Sequence, residues 1–129
     1  MVESNRLSGI PLFAGLADEA LKAVATAATE VDASEGDILA REGDFGHAMY
    51  VIESGTAEVR HNGTTVQSLG AGDVFGEIAI IASGRRTADV VATSEMKLVA
   101  LFKRDVWALE SNNPKAAERL RELIEARRG

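Results

Sequence analysis

The residues best suited to chemistry lie in one stretch, Phe75 to Ala88, which reads FGEIAIIASGRRTA. Gly76 and Glu77 open it, and Arg85, Arg86 and Thr87 close it. These types suit an anion. A short helix expected at Glu77 to Ile81 would aim backbone N–H groups near Gly76 outward, where unsatisfied donors and the helix dipole favour a phosphate. Arg85 or Arg86 supplies the cation, because a guanidinium fork matches a pair of phosphate oxygens better than an ammonium does. With Glu77 accepting from a hydroxyl, the set fits a sugar phosphate. The competing account makes both arginines solvated loop residues and Glu77 a helix cap, since a carboxylate in a first helical turn is favourable without any ligand.

Charge favours the anion site. The net charge of −6 argues against broad binding to nucleic acid or anionic lipid, which needs a basic face. Between His61 and Met96 the only lysines or arginines are Arg85 and Arg86, so an anion bound there must meet one of them. An arginine entering an apolar strand also needs a partner. Catalysis is not indicated. Cysteine is absent, no histidine is paired in sequence with a plausible nucleophile, and there is no His-x-His pair to suggest a metal site.

The elements that position this stretch follow from periodicity. Residues 4–13 predict a short helix or helical turn anchored by Leu7, Ile10, Leu12 and Phe13 and broken at Pro11. A helix over 18–28 follows, with Leu21, Val24 and Ala28 on its apolar face. From Glu30 the spacing changes to runs of five or six residues cut by glycines: EVDAS, DILARE, AMYVIE, TAEVRH and TTVQSL. Short runs at such spacing predict an antiparallel sandwich or barrel. Asn62-Gly63 suits a type I′ turn between strands 56–61 and 64–69, with Ala57 and Val59 on one face and Gln67 and Leu69 on the facing arm. Strands 87–93 and 96–102 come after the central stretch. A helix over 104–111 then leads to a last helix starting at Pro114, with Asn113 as its N-cap and Ala116, Ala117, Leu120, Leu123 and Ile124 as its stripe. No run approaches the ~20 apolar residues of a membrane span. The expectation is one cytoplasmic domain, 1–129, mainly β with flanking helices.

The FGEIAIIASGRRTA stretch, with the LFAGL entry, the REGD turn and YVIESGTAEV, resembles the cyclic nucleotide-binding domain family over nearly the whole chain. The resemblance implies an eight-stranded antiparallel jelly-roll sandwich: N-terminal helices over 1–29, a β-roll over 30–103 with its phosphate-binding cassette at 75–88, and two C-terminal helices over 104–129. It implies that Arg86 pairs with a cyclic phosphate and Glu77 accepts from the ribose 2′-hydroxyl. By the same resemblance, backbone N–H groups around Gly76, Ile78 and Ala79 line phosphate and ribose, while Thr87 offers its hydroxyl to phosphate or base. Val59, Gln67 and Leu69 would then flank the purine, and Leu120, Leu123 or Ile124 would close over it. Arg85 stands where many members have proline, and the resulting GRRTA is similar to cassettes of cyclic nucleotide-gated channels. Ala17 stands where the family often has a serine cap.

The implied ligand is cAMP or cGMP, with no cofactor or metal and no enzymatic activity. The implied partner is an effector such as a channel, a kinase or another enzyme, without nucleic-acid binding or membrane insertion. No room for a helix-turn-helix domain is expected after the last helix. The rival expectation from a different class is a docking domain that keeps the fold and acts through protein contacts without ligand.

Overall fold

The computed structural model describes residues 3–44, 46–76, 86 and 88–128, with residues 127 and 128 described by backbone alone. Two apolar cores, back to back on one sheet, account for its layout. In the runs AMYVI and MKLVALF nearly every residue is apolar, because both faces of these strands are covered. Strand β3 (Ala48–Ser54) sends Met49 and Val51 to one side and Ile52 to the other; β8 (Met96–Phe102) sends Val99 and Leu101 to the first side and Met96 and Leu98 to the second. Alternation by two thus divides one continuous apolar run between two cores.

β8 lies between β3 and β1 (Thr29–Ala33), and β3 also pairs with β6 (Val74–Phe75), giving the sheet order β1-β8-β3-β6. The second sheet runs β2-β7-β4-β5, from β2 (Ile38–Ala40), β7 (Asp89–Ala92), β4 (Ala57–His61) and β5 (Thr64–Leu69). Every pairing is antiparallel, and this strand order is a jelly roll. Between the sheets lie Ile52, Ala57, Leu69, Phe75, Val90, Ala92 and Leu98, with Tyr50 and Val59 packed against them.

The β4–β5 hairpin turns at Asn62 and Gly63, whose φ angles of 52° and 78° are those of the expected turn. Ala57 faces Leu69 and Val59 faces Gln67, and a register shift between Val59 and Arg60 lies nearer the turn. Three strands differ from expectation. β2 has three residues rather than six, because the chain on either side of it bonds to side chains instead of a ladder: Ser34 N–H to Asp37 and Glu42 N–H to Asp89. β7 starts at Asp89, since Arg86 bonds to the turn after β2 before the ladder begins. β6, two residues long, straddles the start of the Phe75–Ala88 stretch and completes the eight strands that the resemblance implies, although none of the periodic runs contained it.

Helices cover the outer face of the first sheet. They are α1 (Ser4–Ser8), a 3-10 turn at Pro11–Phe13, α2 (Asp18–Ala27), α3 (Lys103–Asn112) and α4 (Pro114–Arg128). Leu7, Phe13, Val24, Val106, Leu120 and Ile124 are at most 1% exposed in this helical core. Asn113 caps α4 as expected, its Oδ1 accepting the Ala116 N–H at 3.3 Å. Ala17 makes no side-chain cap for α2. Arg6 of α1 grips the sheet, donating through Nε to Glu53 at 3.2 Å and through Nη2 to Glu30 at 3.2 Å. Among the described residues no helix is long and apolar enough to cross a membrane.

Candidate functional site

Three pieces of backbone converge on Arg86. First, the turn at 70–73 is fixed by Asp73, whose carboxylate accepts the Gly70 N–H at 2.8 Å, and it delivers β6 beside β3. Phe75 then stacks on Tyr50 with ring centroids 5.1 Å apart, which places Gly76 next to the start of β3. Gly76 has φ 78°, and a Cβ there would overlap the Arg86 guanidinium and approach the Ala48 carbonyl oxygen to 2.7 Å. Only glycine lets the chain pass so close to the cation.

Second, β3 presents the Ala48 carbonyl, which accepts from Arg86 Nη2 at 2.8 Å. Third, the turn after β2 holds the main chain of Arg86 on both sides: Gly43 N–H donates to its carbonyl at 2.9 Å, and its own N–H donates to the Asp44 carbonyl at 2.6 Å. In the same turn, Glu42 N–H donates to Asp89 Oδ1 at 2.7 Å, and His61 Nδ1 lies 2.7 Å from Glu42 Oε1. The half-buried guanidinium is therefore fixed at its root by the turn and at its tip by Ala48. A cation held in one orientation spends little rotamer entropy on meeting an anion.

Of the expected site residues, Gly76 and Arg86 come together. Glu77, Ile78, Ala79 and Thr87, the short helix expected at 77–81, and Arg85 lie outside the described residues. On the hairpin, Leu69 is buried and Val59 half-buried in the same interior as Phe75, while their neighbour Gln67 is exposed. The wall thus shares its packing with the strand that carries Gly76. On its outer face Arg60, and then Thr65, hold the Glu58 carboxyl below the usual glutamate range.

The stripe of the last helix packs on the helical side of the first sheet. Leu120 and Ile124 are sealed in the helical core and Leu123 packs against it, so this stripe does not reach the roll interior where Val59 and Leu69 lie. There α1, the 3-10 turn and α2 offer an apolar surface that buries Leu120 and Ile124 fully and Leu123 in part. Arg121 to Glu110 and Arg119 to the Gly15 carbonyl at 3.4 Å hold α4 there. A cavity of about 450 Å³ opens among Asp32, Ala33, Ser34, Ser54, Glu95, Met96 and Lys97. It sits at the Ser54 end of β3, roughly 20 Å from Ala48 along the strand, and is separate from Arg86.

Sequence reasoning missed the groups that place Arg86: the Ala48 carbonyl, the main chain of 42–44 and the Asp89 carboxylate. Main-chain groups carry no residue signature. Asp89 did leave one, a carboxylate at the mouth of the apolar run TADVVAT.

The cyclic nucleotide-binding domain family profile matches residues 30–113, which contain both sheets apart from Thr29 and include Gly43, Ala48, Gly76, Arg86 and Asp89. This chain belongs to that family. A cyclic nucleotide-gated potassium channel of Rhizobium etli is 34% identical over 95% of this chain and 34% of its own. A cyclic AMP receptor protein of Thermus thermophilus is 33% identical over 94% of this chain and 58% of its own. Among solved structures, the N-terminal domain of a transcriptional regulator from Streptomyces coelicolor superposes with a TM-score of 0.83 at 30% identity, covering 95% of this chain and 91% of that one. The chain thus spans between a third and three-fifths of the length of these two curated relatives.

Proposed function

We propose that residues 1–129 act as one cyclic nucleotide sensor that binds cAMP, with cGMP as the competing ligand, and that Arg86 receives the cyclic phosphate. The carrying observation is the guanidinium held against Gly76 and Ala48, where a side chain at position 76 would exclude it. A guanidinium has five N–H donors, so the bond to Ala48 is compatible with a bidentate phosphate contact. In this account Glu77 accepts from the ribose 2′-hydroxyl, and the backbone at Gly76, Ile78 and Ala79 lines the phosphate and ribose. Thr87 donates to phosphate or base, and Val59, Gln67 and Leu69 flank the purine.

The chain binds and reports; it performs no reaction. Leu120, Leu123 and Ile124 can reach a base only by leaving the helical core, so α4 is the reporter. A ligand shifts that helix by no more than its difference in affinity for the two positions. The effector is a further part of the protein or a partner. The relatives named above include a channel and a receptor protein, and both are candidate arrangements.

Thermal unfolding with each nucleotide tests this. A ligand at about a hundredfold excess over its Kd should raise the midpoint by roughly 10 °C for a chain of this size. The larger shift identifies the preferred base. No shift with either nucleotide at millimolar concentration would instead favour a docking domain that works without ligand.

A further inference from the structure

We infer that Asp89 is a positioning residue for the anion site: its carboxylate holds the 41–44 turn, and the turn holds Arg86. The inference rests on the assignment of Arg86 as the phosphate contact. Among the described residues, three bonds join the turn to the segment leading into β7. Two are main chain to main chain, from Gly43 to the Arg86 carbonyl and from Arg86 to the Asp44 carbonyl. The third, Glu42 N–H to Asp89 Oδ1 at 2.7 Å, is the one among them that depends on a side chain.

The sheet itself does little for this turn. The β2–β7 pairing has its last partners at Ala40 and Val90, after a register shift between Ile38 and Ala40. Past that point, side-chain and turn bonds must replace the ladder. Asp89 sits at that point, three residues after Arg86. Its cross-strand partner, Arg60, gives its guanidinium to Glu58 at 2.8 Å, so the Asp89 carboxylate is directed to the turn rather than to a surface ion pair. The Asp89 carboxylate also carries a negative charge, which acts against an anion held by Arg86. Acceptor and charge therefore act in opposite directions, and substitution separates them.

Asp89→Ala removes the acceptor, and Asp89→Asn keeps an Oδ1 acceptor while removing the charge. By calorimetric titration with cAMP, Asp89→Ala should weaken binding roughly tenfold, whereas Asp89→Asn should bind at least as tightly as wild type. In an Arg86→Ala background, with weak affinities read by NMR shifts, Asp89→Ala should add nothing. Amide hydrogen exchange without ligand should be faster at Glu42, Gly43 and Arg86 in Asp89→Ala and restored in Asp89→Asn. Wild-type affinity in Asp89→Ala, failure of Asp89→Asn to restore binding, or an equal loss in the Arg86→Ala background would each overturn the inference. If wild type binds no cyclic nucleotide, the proposed ligand falls instead, and the exchange rates alone decide whether Asp89 holds the turn.

Discussion

Replacing Arg86 by alanine should abolish most nucleotide affinity while leaving the fold in place. The guanidinium donates to Ala48 at 2.8 Å and lies against Gly76, and Arg86 is half-buried. Hydrogen bonds to charged groups contribute about 1.5–3 kcal/mol each, and a fork can make two to one phosphate. Allowing for the desolvation that offsets part of this, Arg86→Ala should cost about 2–5 kcal/mol of binding. That corresponds to a rise in Kd of roughly thirtyfold to several thousandfold. The fold loses less, about 1 kcal/mol, from the Ala48 carbonyl left without this donor. Arg86→Lys should fall between the two, because it restores charge without the fork. Isothermal titration of cAMP into wild type and both variants, each shown to be folded by its unfolding midpoint, measures the series. Wild-type affinity in a folded Arg86→Ala would refute the assignment of Arg86 as the phosphate contact.

Other substitutions probe the surroundings. Gly76→Ala forces a left-handed residue at a cost of about 1–2 kcal/mol and pushes a methyl into the Arg86 guanidinium, so unfolding midpoint and nucleotide affinity should both drop; unchanged affinity would detach Gly76 from the site. Leu120→Ala should destabilise the chain by about 2–5 kcal/mol in denaturant titration, since Leu120 is fully buried, and a loss below half that range would mean that α4 is not docked as described. Arg6, chiefly through its hydrogen bond, holds the Glu30 carboxyl below its ordinary value of 4.5. A depressed folded pKa gives stability that is present above the unfolded value and lost as pH falls through the folded one. Below about pH 4.5 wild type should therefore lose stability more steeply than Arg6→Met, and parallel curves would argue against this contact.

How much could be read from the chain alone depended on the length scale of each signal. The hairpin was legible because Asn62-Gly63 is a local instruction, and both residues take the positive φ angles it demands. Asn113 and Pro114 marked the start of α4 for the same reason. Arg86 stood out by charge, as one of two cations in a long uncharged or acidic stretch. β6 escaped notice because two residues cannot display a period. The stripe on α4 announced burial without saying against what, and Leu120 and Ile124 lie in the helical core. The clamp on Arg86 was the least legible, since Glu42 and Asp89 are 47 residues apart and one of the two contributes only its main chain.

The central claim is that a cyclic phosphate sits on Arg86, and the phosphorus nucleus reports on it directly. In 31P NMR of cAMP titrated with the wild-type chain, the resonance should shift saturably with one site per chain, and the shift should vanish with Arg86→Ala at the same concentrations. A resonance that stays at its free position in the presence of excess folded wild-type protein would contradict the account.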